Sequence, residues 1–164
     1  QLSGLGKHFA YNAVPCERKH TLYARSSGEC IECNTAKIEF QLRKYRDGFV
    51  YIAGSAKAQL IKLGMTLDLT DRTKTLCSQG YGGASDWDML AWAKVRNAGQ
   101  VEARVHKLLE GRNVDGTYEK NGREQACYEL FSVGFMEAFN ALVASLDGEK
   151  IVEANRARAV MLFP

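Results

Sequence analysis

Four residues near the start of the chain, Cys16, His20, Cys30 and Cys33, follow the spacing Cys-x3-His-x9-Cys-x2-Cys. Three thiolates and one imidazole make a closed tetrahedral shell for zinc, and a Cys-x-x-Cys pair lets two sulfurs bite one ion from a tight turn. Gly28 stands just ahead of that turn, where backbone freedom is useful. His8 is the alternative to His20 as fourth ligand. With every position filled by protein, this zinc is expected to be structural. The five cysteines are an odd count, which fits a metal site in a reducing compartment better than a disulfide framework. A redox Cys-x-x-Cys would want a βα turn, and the pattern here has none. Cys77 and Cys127 stand alone and read as small buried apolar groups.

A second set of residues suits phosphodiester hydrolysis. That reaction needs an activated water, charge neutralisation on the phosphate and help for the leaving oxygen. Tyr51 and Lys62 lie on successive strand-like runs, so a hairpin would bring them to one surface. Arg72 follows in a helix and can fork onto phosphate oxygens. Glu102 and His106 are four residues apart and share a helix face. Glu102 can anchor one hard divalent cation, Mg²⁺ or Mn²⁺, with water and substrate oxygens completing its shell. Tyr51 is the candidate to take the water's proton, with Lys62 lowering its phenol pKa or touching phosphate as a point charge. His106 would bond to Tyr51 or the leaving group, or orient Glu102. Taken singly, each has an ordinary reading as packed aromatic, solvated charge or surface histidine; their joint spacing argues for a site. Tyr81 and Tyr118 are secondary candidates, and Asn113 and Asn121 fall in a loop that could reach DNA. Glu129 in CYELF either joins the site or braces the final helix. Trp87 and Trp92 read as core or half-core strand residues.

These side chains need elements to hold them. Residues 49–53 are apolar, β-branched and aromatic and predict a strand; 59–65 predict a second, antiparallel to it, and 87–95 a third. Asp68 predicts a helix cap, with the helix running to about Ser78. Residues 99–110 predict a helix with Val101, Val105, Leu108 and Leu109 on its apolar face, ended by Gly111. Ser132 predicts the cap of a long helix to about Leu146, with a last short helix after Asp147-Gly148. Residues 80–83 are a glycine-rich loop, and 113–126 read as polar loop. Residues 1–15 read as loop, 16–34 as a hairpin-like knot closed by its Cys and His residues, and Asn34 or Thr35 as the cap of a helix ended by Asp47-Gly48. The class expected is α/β of the α+β kind. It would hold a small mixed or antiparallel three-stranded sheet flanked by helices, with an N-terminal zinc-knuckle or ribbon-like unit.

The order of these features resembles the GIY-YIG nuclease family. Phe49-Val50-Tyr51 stands for the first triplet and Lys62-Leu63-Gly64 for the second, with ten residues between Tyr51 and Lys62. Arg72 matches the arginine of the helix after the hairpin, and Glu102 in VEARVH the glutamate of the later helix. The resemblance covers about residues 48–140. Within the family it is similar to a phage-associated branch in which lysine replaces the second tyrosine and a Glu-x-x-x-His helix occurs. Phe49 in place of glycine and Lys62 in place of tyrosine are the departures. The Cys3His pattern also resembles small zinc modules attached to phage and bacterial nucleases.

The resemblance implies a metal-dependent DNA endonuclease, with Tyr51, Lys62, Arg72, Glu102 and His106 catalytic and Mg²⁺ or Mn²⁺ at Glu102. It implies a zinc module at 1–34 that helps grip double-stranded DNA, a linking helix at 35–47, a GIY-YIG-like nuclease domain at 48–146 and a C-terminal helical extension at 147–164. One such site cuts one strand per event, so cutting both strands needs a homodimer or two sequential nicks. The expected location is the cytoplasm of a bacterial or phage-infected cell. The alternatives are a non-catalytic DNA-binding or nuclease-accessory protein with the same fold, or a zinc-stabilised protein-interaction module.

Composition narrows the class without choosing among these. The chain has 164 residues, 46 % apolar and 25 % charged, with two prolines, which excludes disordered, collagenous and mucin-like chains. No stretch approaches the roughly 18 apolar residues of a membrane span, and the first residues lack the apolar run of a secretory signal. The chain begins at Gln1 without Met, as expected of a processed product or a piece of something longer. Net charge is +3. Residues 1–48 hold eight Lys/Arg against five Asp/Glu, and the remainder holds fourteen of each, so the basic excess lies in the first 48. A basic segment suits contact with a polyanion.

Overall fold

A computed structural model describes residues 9–25, 27–35, 38, 42–146, 148, 151–153, 159–160 and 162–163. The chain forms two compact units, residues 1–45 and 46–164.

In the first unit, β1 (Phe9–Ala10) pairs antiparallel with β2 (Tyr23–Ala24), and Tyr23 also bridges to Cys30. Among the described residues its apolar centre is small: Phe9, Ala24 and Ile31 are buried, with Leu22, Ile38 and Leu42 packed against them. So few buried side chains stabilise a unit of this size poorly without a staple. His8, the alternative ligand, lies outside the described residues, as does much of the helix expected after Asn34; residues 38, 42 and 43 are helical.

The second unit is built on an antiparallel sheet of order β8-β4-β3-β5-β9. Its centre is the three strands expected from the sequence: β3 (Gly48–Ser55), β4 (Leu60–Thr66) and β5 (Trp87–Val95). Two short strands extend that sheet from three to five. After β4 come α1 (Arg72–Ser78) and a 3₁₀ turn (Tyr81–Gly83), then β5 and α2 (Ala98–Leu108). The hairpin β6 (Gly116–Lys120) and β7 (Arg123–Cys127) follows, then β8 (Leu130–Phe131), α3 (Phe135–Ala144) and β9 (Ile151–Glu153). No helix among the described residues is long and apolar enough to cross a membrane.

The sheet is buried on both faces, which is why β3 is apolar almost throughout. Val50, Ile52, Ile61, Leu63 and Met65 face α2 and α3, meeting Val101, Val105, Phe135 and Leu142 in the main core. Tyr51 and Ala53 point the other way, with Leu76 of α1, Tyr81, Trp87, Cys127 and Leu130. Strand alternation produces this division, and it decides which residues can share a site.

Several elements differ from the sequence reading. Asp68 does not cap α1; its carboxylate accepts from the Thr70 backbone and hydroxyl and closes the preceding turn. Gly134, not Ser132, is the cap of α3. The polar stretch 113–126 holds a hairpin, turned by Asn121 (φ 54°) and Gly122 (φ 69°). Both turn residues have left-handed backbone, as a two-residue turn between twisted strands requires. Where a short helix was expected after Asp147-Gly148, β9 pairs with Ala91, Trp92 and Ala93 of β5. Beyond it, Ala159 and Phe163 join the main core, and residues 159, 160 and 162 are helical.

Candidate functional site

Tyr51 pairs with Gly64 and Ala53 with Lys62, so Tyr51 and Lys62 stand on one sheet face, one pleat apart. Both are fully buried. The Tyr51 ring lies across Gly64: a Cβ there would stand 2.8 Å from the phenol oxygen and 3.1 Å from Cζ. Glycine in the second triplet is therefore a requirement for space. Gly64→Ala is expected to push the phenol aside and lower stability by about 1–3 kcal/mol, read as a fall in Tm. An unchanged Tm would show that the ring moves away at no cost.

Arg72 opens α1, and its Nε donates to the Tyr51 hydroxyl at 2.8 Å. Burial pushes the Tyr51 phenol up to about 12, with the Arg72 charge and hydrogen bond pulling against that rise. Arg72 is thus the cation on this hydroxyl. Lys62, expected there from its spacing, turns instead to the Glu129 carboxylate and lies 4.1 Å from the centre of the Tyr81 ring. Burial lowers the Lys62 pKa, and Glu129 opposes the shift. The Lys62 side chain is 0 % exposed and that of Glu129 36 %, so this ion pair leads from the interior to the surface. The Tyr81 hydroxyl stands 3.5 Å from the same Glu129 oxygen, and burial raises the Tyr81 pKa. Tyr118 packs on the Tyr81 ring at 5.0 Å, and the Trp87 indole donates to the Tyr81 carbonyl at 2.8 Å.

Glu102 and His106 meet the same strand from α2. The Glu102 Oε1 accepts from the Met65 N–H at 2.8 Å, and His106 Nε2 donates to the Leu63 carbonyl at 3.1 Å. Four helical residues rise about 6 Å and two strand residues about 6.6 Å, so an i,i+4 pair matches two alternate groups on a strand edge. β8 pairs only with Ile61 and Lys62, and these two side chains serve the edge of β4 beyond it. Burial lowers the His106 pKa, and its ring stands edge-on to Phe131 at 5.1 Å. Glu102→Ala leaves the buried Met65 N–H without this acceptor and is expected to cost about 1–3 kcal/mol. Glu102→Gln keeps an acceptor oxygen and should retain most of that stability. Equal Tm values for the two variants would remove the hydrogen bond from the account.

The structure therefore groups Tyr51 with Arg72, and Lys62 with Glu129 and Tyr81, while Glu102 and His106 sit on the β4 edge. Among the secondary candidates, Asn113 donates to the Tyr128 carbonyl at 3.3 Å and Asn121 turns the hairpin. The partnership of Glu129 with Lys62 was missed in the sequence, because no local spacing links residues 67 apart. Glu102 is a single carboxylate whose Oε1 already accepts from Met65, so a divalent cation held there would take most of its ligands from water. That suits Mg²⁺ or Mn²⁺, which keep several water ligands.

In the first unit the donor atoms of Cys16, His20, Cys30 and Cys33 all lie within 4.8 Å of one another. Cys16 and Cys33 sulfurs are 3.8 Å apart, and His20 Nδ1 stands 3.3 Å from the Cys33 sulfur and 3.7 Å from that of Cys30. Tetrahedral zinc with ordinary bond lengths places sulfurs about 3.8 Å apart and sulfur and nitrogen about 3.5 Å apart. The four side chains fit that ion, and the sulfur separation is far from a disulfide's roughly 2 Å. A backbone turn sets the first pair: Lys19 N–H bonds to the Cys16 carbonyl at 2.7 Å and Cys16 N–H to the His20 carbonyl at 3.0 Å.

Residues 48–142 match the family model of the T5orf172 domain. No curated protein and no solved structure matches the chain. The T5orf172 domain is associated with endonuclease-like, DNA-interacting proteins. The matched span contains Tyr51, Lys62, Arg72, Glu102, His106 and Glu129 and covers more than half of the 164 residues, and the chain belongs to the T5orf172 domain family.

Proposed function

We propose that this protein is a metal-dependent DNA endonuclease of the GIY-YIG type that hydrolyses phosphodiester bonds, with a structural zinc unit assisting its grip on duplex DNA. The observation that carries the reading is the Tyr51 hydroxyl held 2.8 Å from Arg72 Nε. A phosphate drawn to the Arg72 guanidinium arrives beside the one hydroxyl suited to relay a proton from water. The Lys62–Glu129 pair on the same face orients the neighbouring Tyr81 ring and brings a carboxylate toward solvent. A divalent cation bound at Glu102 would supply charge neutralisation at the phosphate. His106 holds the β4 edge in register beside Glu102. Residues 1–48, with their basic excess, provide the additional hold on the polyanion.

The test is incubation of supercoiled plasmid with the protein in Mg²⁺, in Mn²⁺ and in chelator. Nicked or linear product with either metal and none with chelator is the expected result. The complete burial of Tyr51 and Lys62 favours a second reading, a DNA-binding protein that keeps the fold without the chemistry. Tight binding to duplex DNA with no cleavage under any metal would decide for it.

A further inference from the structure

The hairpin β6–β7 is assigned no role by the chemistry above, and its side chains are sorted by charge. Strand alternation puts Tyr118, Lys120, Arg123 and Gln125 on one face, with Lys120 paired to Arg123 and Tyr118 to Gln125. The opposite face carries Thr117, Glu119 and Glu124, with Glu119 paired to Glu124. Like charges directly opposite each other destabilise a strand pair, and exchanging one position in each pair would have made both attractive. Folding therefore does not account for the sorting. Apart from half-buried Tyr118, these side chains are exposed, and the Thr117 hydroxyl bonds to Glu124 at 3.0 Å on the acidic face. The basic face is the one anchored to the candidate site. Its Tyr118 ring packs on Tyr81 at 5.0 Å, and Tyr81 covers the Lys62 ammonium. Cys127, on that same face, is buried against the Tyr51 cluster.

We propose that the Tyr118–Lys120–Arg123–Gln125 face of this hairpin binds the backbone of duplex DNA beside the site, with Lys120 and Arg123 as phosphate contacts. The inference rests on the nuclease reading of that site and adds the element that holds the flanking duplex. A two-stranded ribbon with a two-residue turn is narrow enough to enter a major groove, with its tip charges toward one phosphate wall. The acidic face would then lie away from the backbone.

The test is fluorescence anisotropy of the full chain with a labelled 20-base-pair duplex, without added divalent cation, over a series of salt concentrations. Lys120→Ala/Arg123→Ala is expected to weaken binding by roughly 10–100-fold at about 0.1 M salt. It should also reduce the slope of log affinity against log salt by about two. Glu119→Gln/Glu124→Gln, on the other face, should bind at least as tightly as the parent. Parent binding with an unchanged affinity and slope in the Lys120/Arg123 variant would overturn the hairpin contact while leaving the nuclease reading intact. Equal weakening in both double variants would also overturn it, since face would then not matter. Absence of DNA binding by the parent protein would overturn the nuclease reading and this inference with it.

Discussion

Tyr51→Phe is expected to cleave supercoiled plasmid at least about 10²-fold more slowly than the parent, the usual size of a general acid–base contribution. Its affinity for duplex DNA should be nearly unchanged. One oxygen atom is removed, the one to which the Arg72 Nε donates at 2.8 Å. Arg72 keeps its charge for phosphate. The same hydroxyl predicts the pH profile. Burial pushes its pKa up to about 12, so at pH 8 about 10⁻⁴ of it is ionised, and that fraction grows tenfold per pH unit. The parent's cleavage rate should therefore rise with pH between about 7 and 10, and the rise should be missing in Tyr51→Phe. The sign for stability is the reverse. A phenol raised from 10.0 to about 12 keeps its proton in the folded state where the unfolded chain loses it. Its contribution is present below pH 10 and is lost as pH climbs toward 12, so rates are compared below 10. Cleavage by Tyr51→Phe at the parent's rate, or dependence on a different tyrosine, would remove Tyr51 from the chemistry.

The second large effect concerns the first unit. The parent is expected to purify with one zinc ion per chain and Cys30→Ser with none, measured by mass spectrometry of the intact protein. Loss of the ion should unfold residues before about Asn34. The three buried apolar side chains among the described residues are few for a unit of this size, and metal binding and folding are coupled in such units. Amide spectra of Cys30→Ser should lose dispersion for this segment while those of residues 46–164 stay in place. DNA affinity should fall and its salt dependence should weaken, because the unfolded segment carries Lys7, Arg18, Lys19 and Arg25 as candidate phosphate contacts. Cleavage at saturating DNA should survive, since Tyr51, Lys62, Arg72 and Glu102 belong to the second unit. A parent without zinc, or a Cys30→Ser protein that keeps a full equivalent, would overturn this account.

The two predictions draw on different kinds of information. The Cys/His cluster that could hold zinc was legible as spacing alone, because a Cys-x-x-Cys bite and a nearby His are set by the reach of a short segment. The strands β3, β4 and β5 were legible because each carries its own apolar, β-branched signal; β5 spans Trp87–Val95, as the pattern suggests. The i,i+4 spacing of Glu102 and His106 likewise put both on one helix face before any contact was known. The hairpin could have been read from Asn121-Gly122, a strong two-residue turn signal, but its strands are polar and lack the apolar alternation that marks a strand.

What the sequence by itself determined, then, is local: donor spacing, strand and helix periodicity, and which residues share an element's face. Only the tertiary structure decided the partners. Strands β8 and β9, of two and three residues, are too short to show a period although their residues favour strand, and they form because β4 and β5 offer edges to pair with. Whether Arg72 or Lys62 would sit on the Tyr51 hydroxyl depended on where α1 crosses the sheet. Lys62, buried opposite Ala53, needed a carboxylate, and the return of the chain along β4 supplied Glu129 from 67 residues away. A buried ammonium is costly without a counter-charge, so burial itself selects such a pairing, and burial is a property of the whole fold.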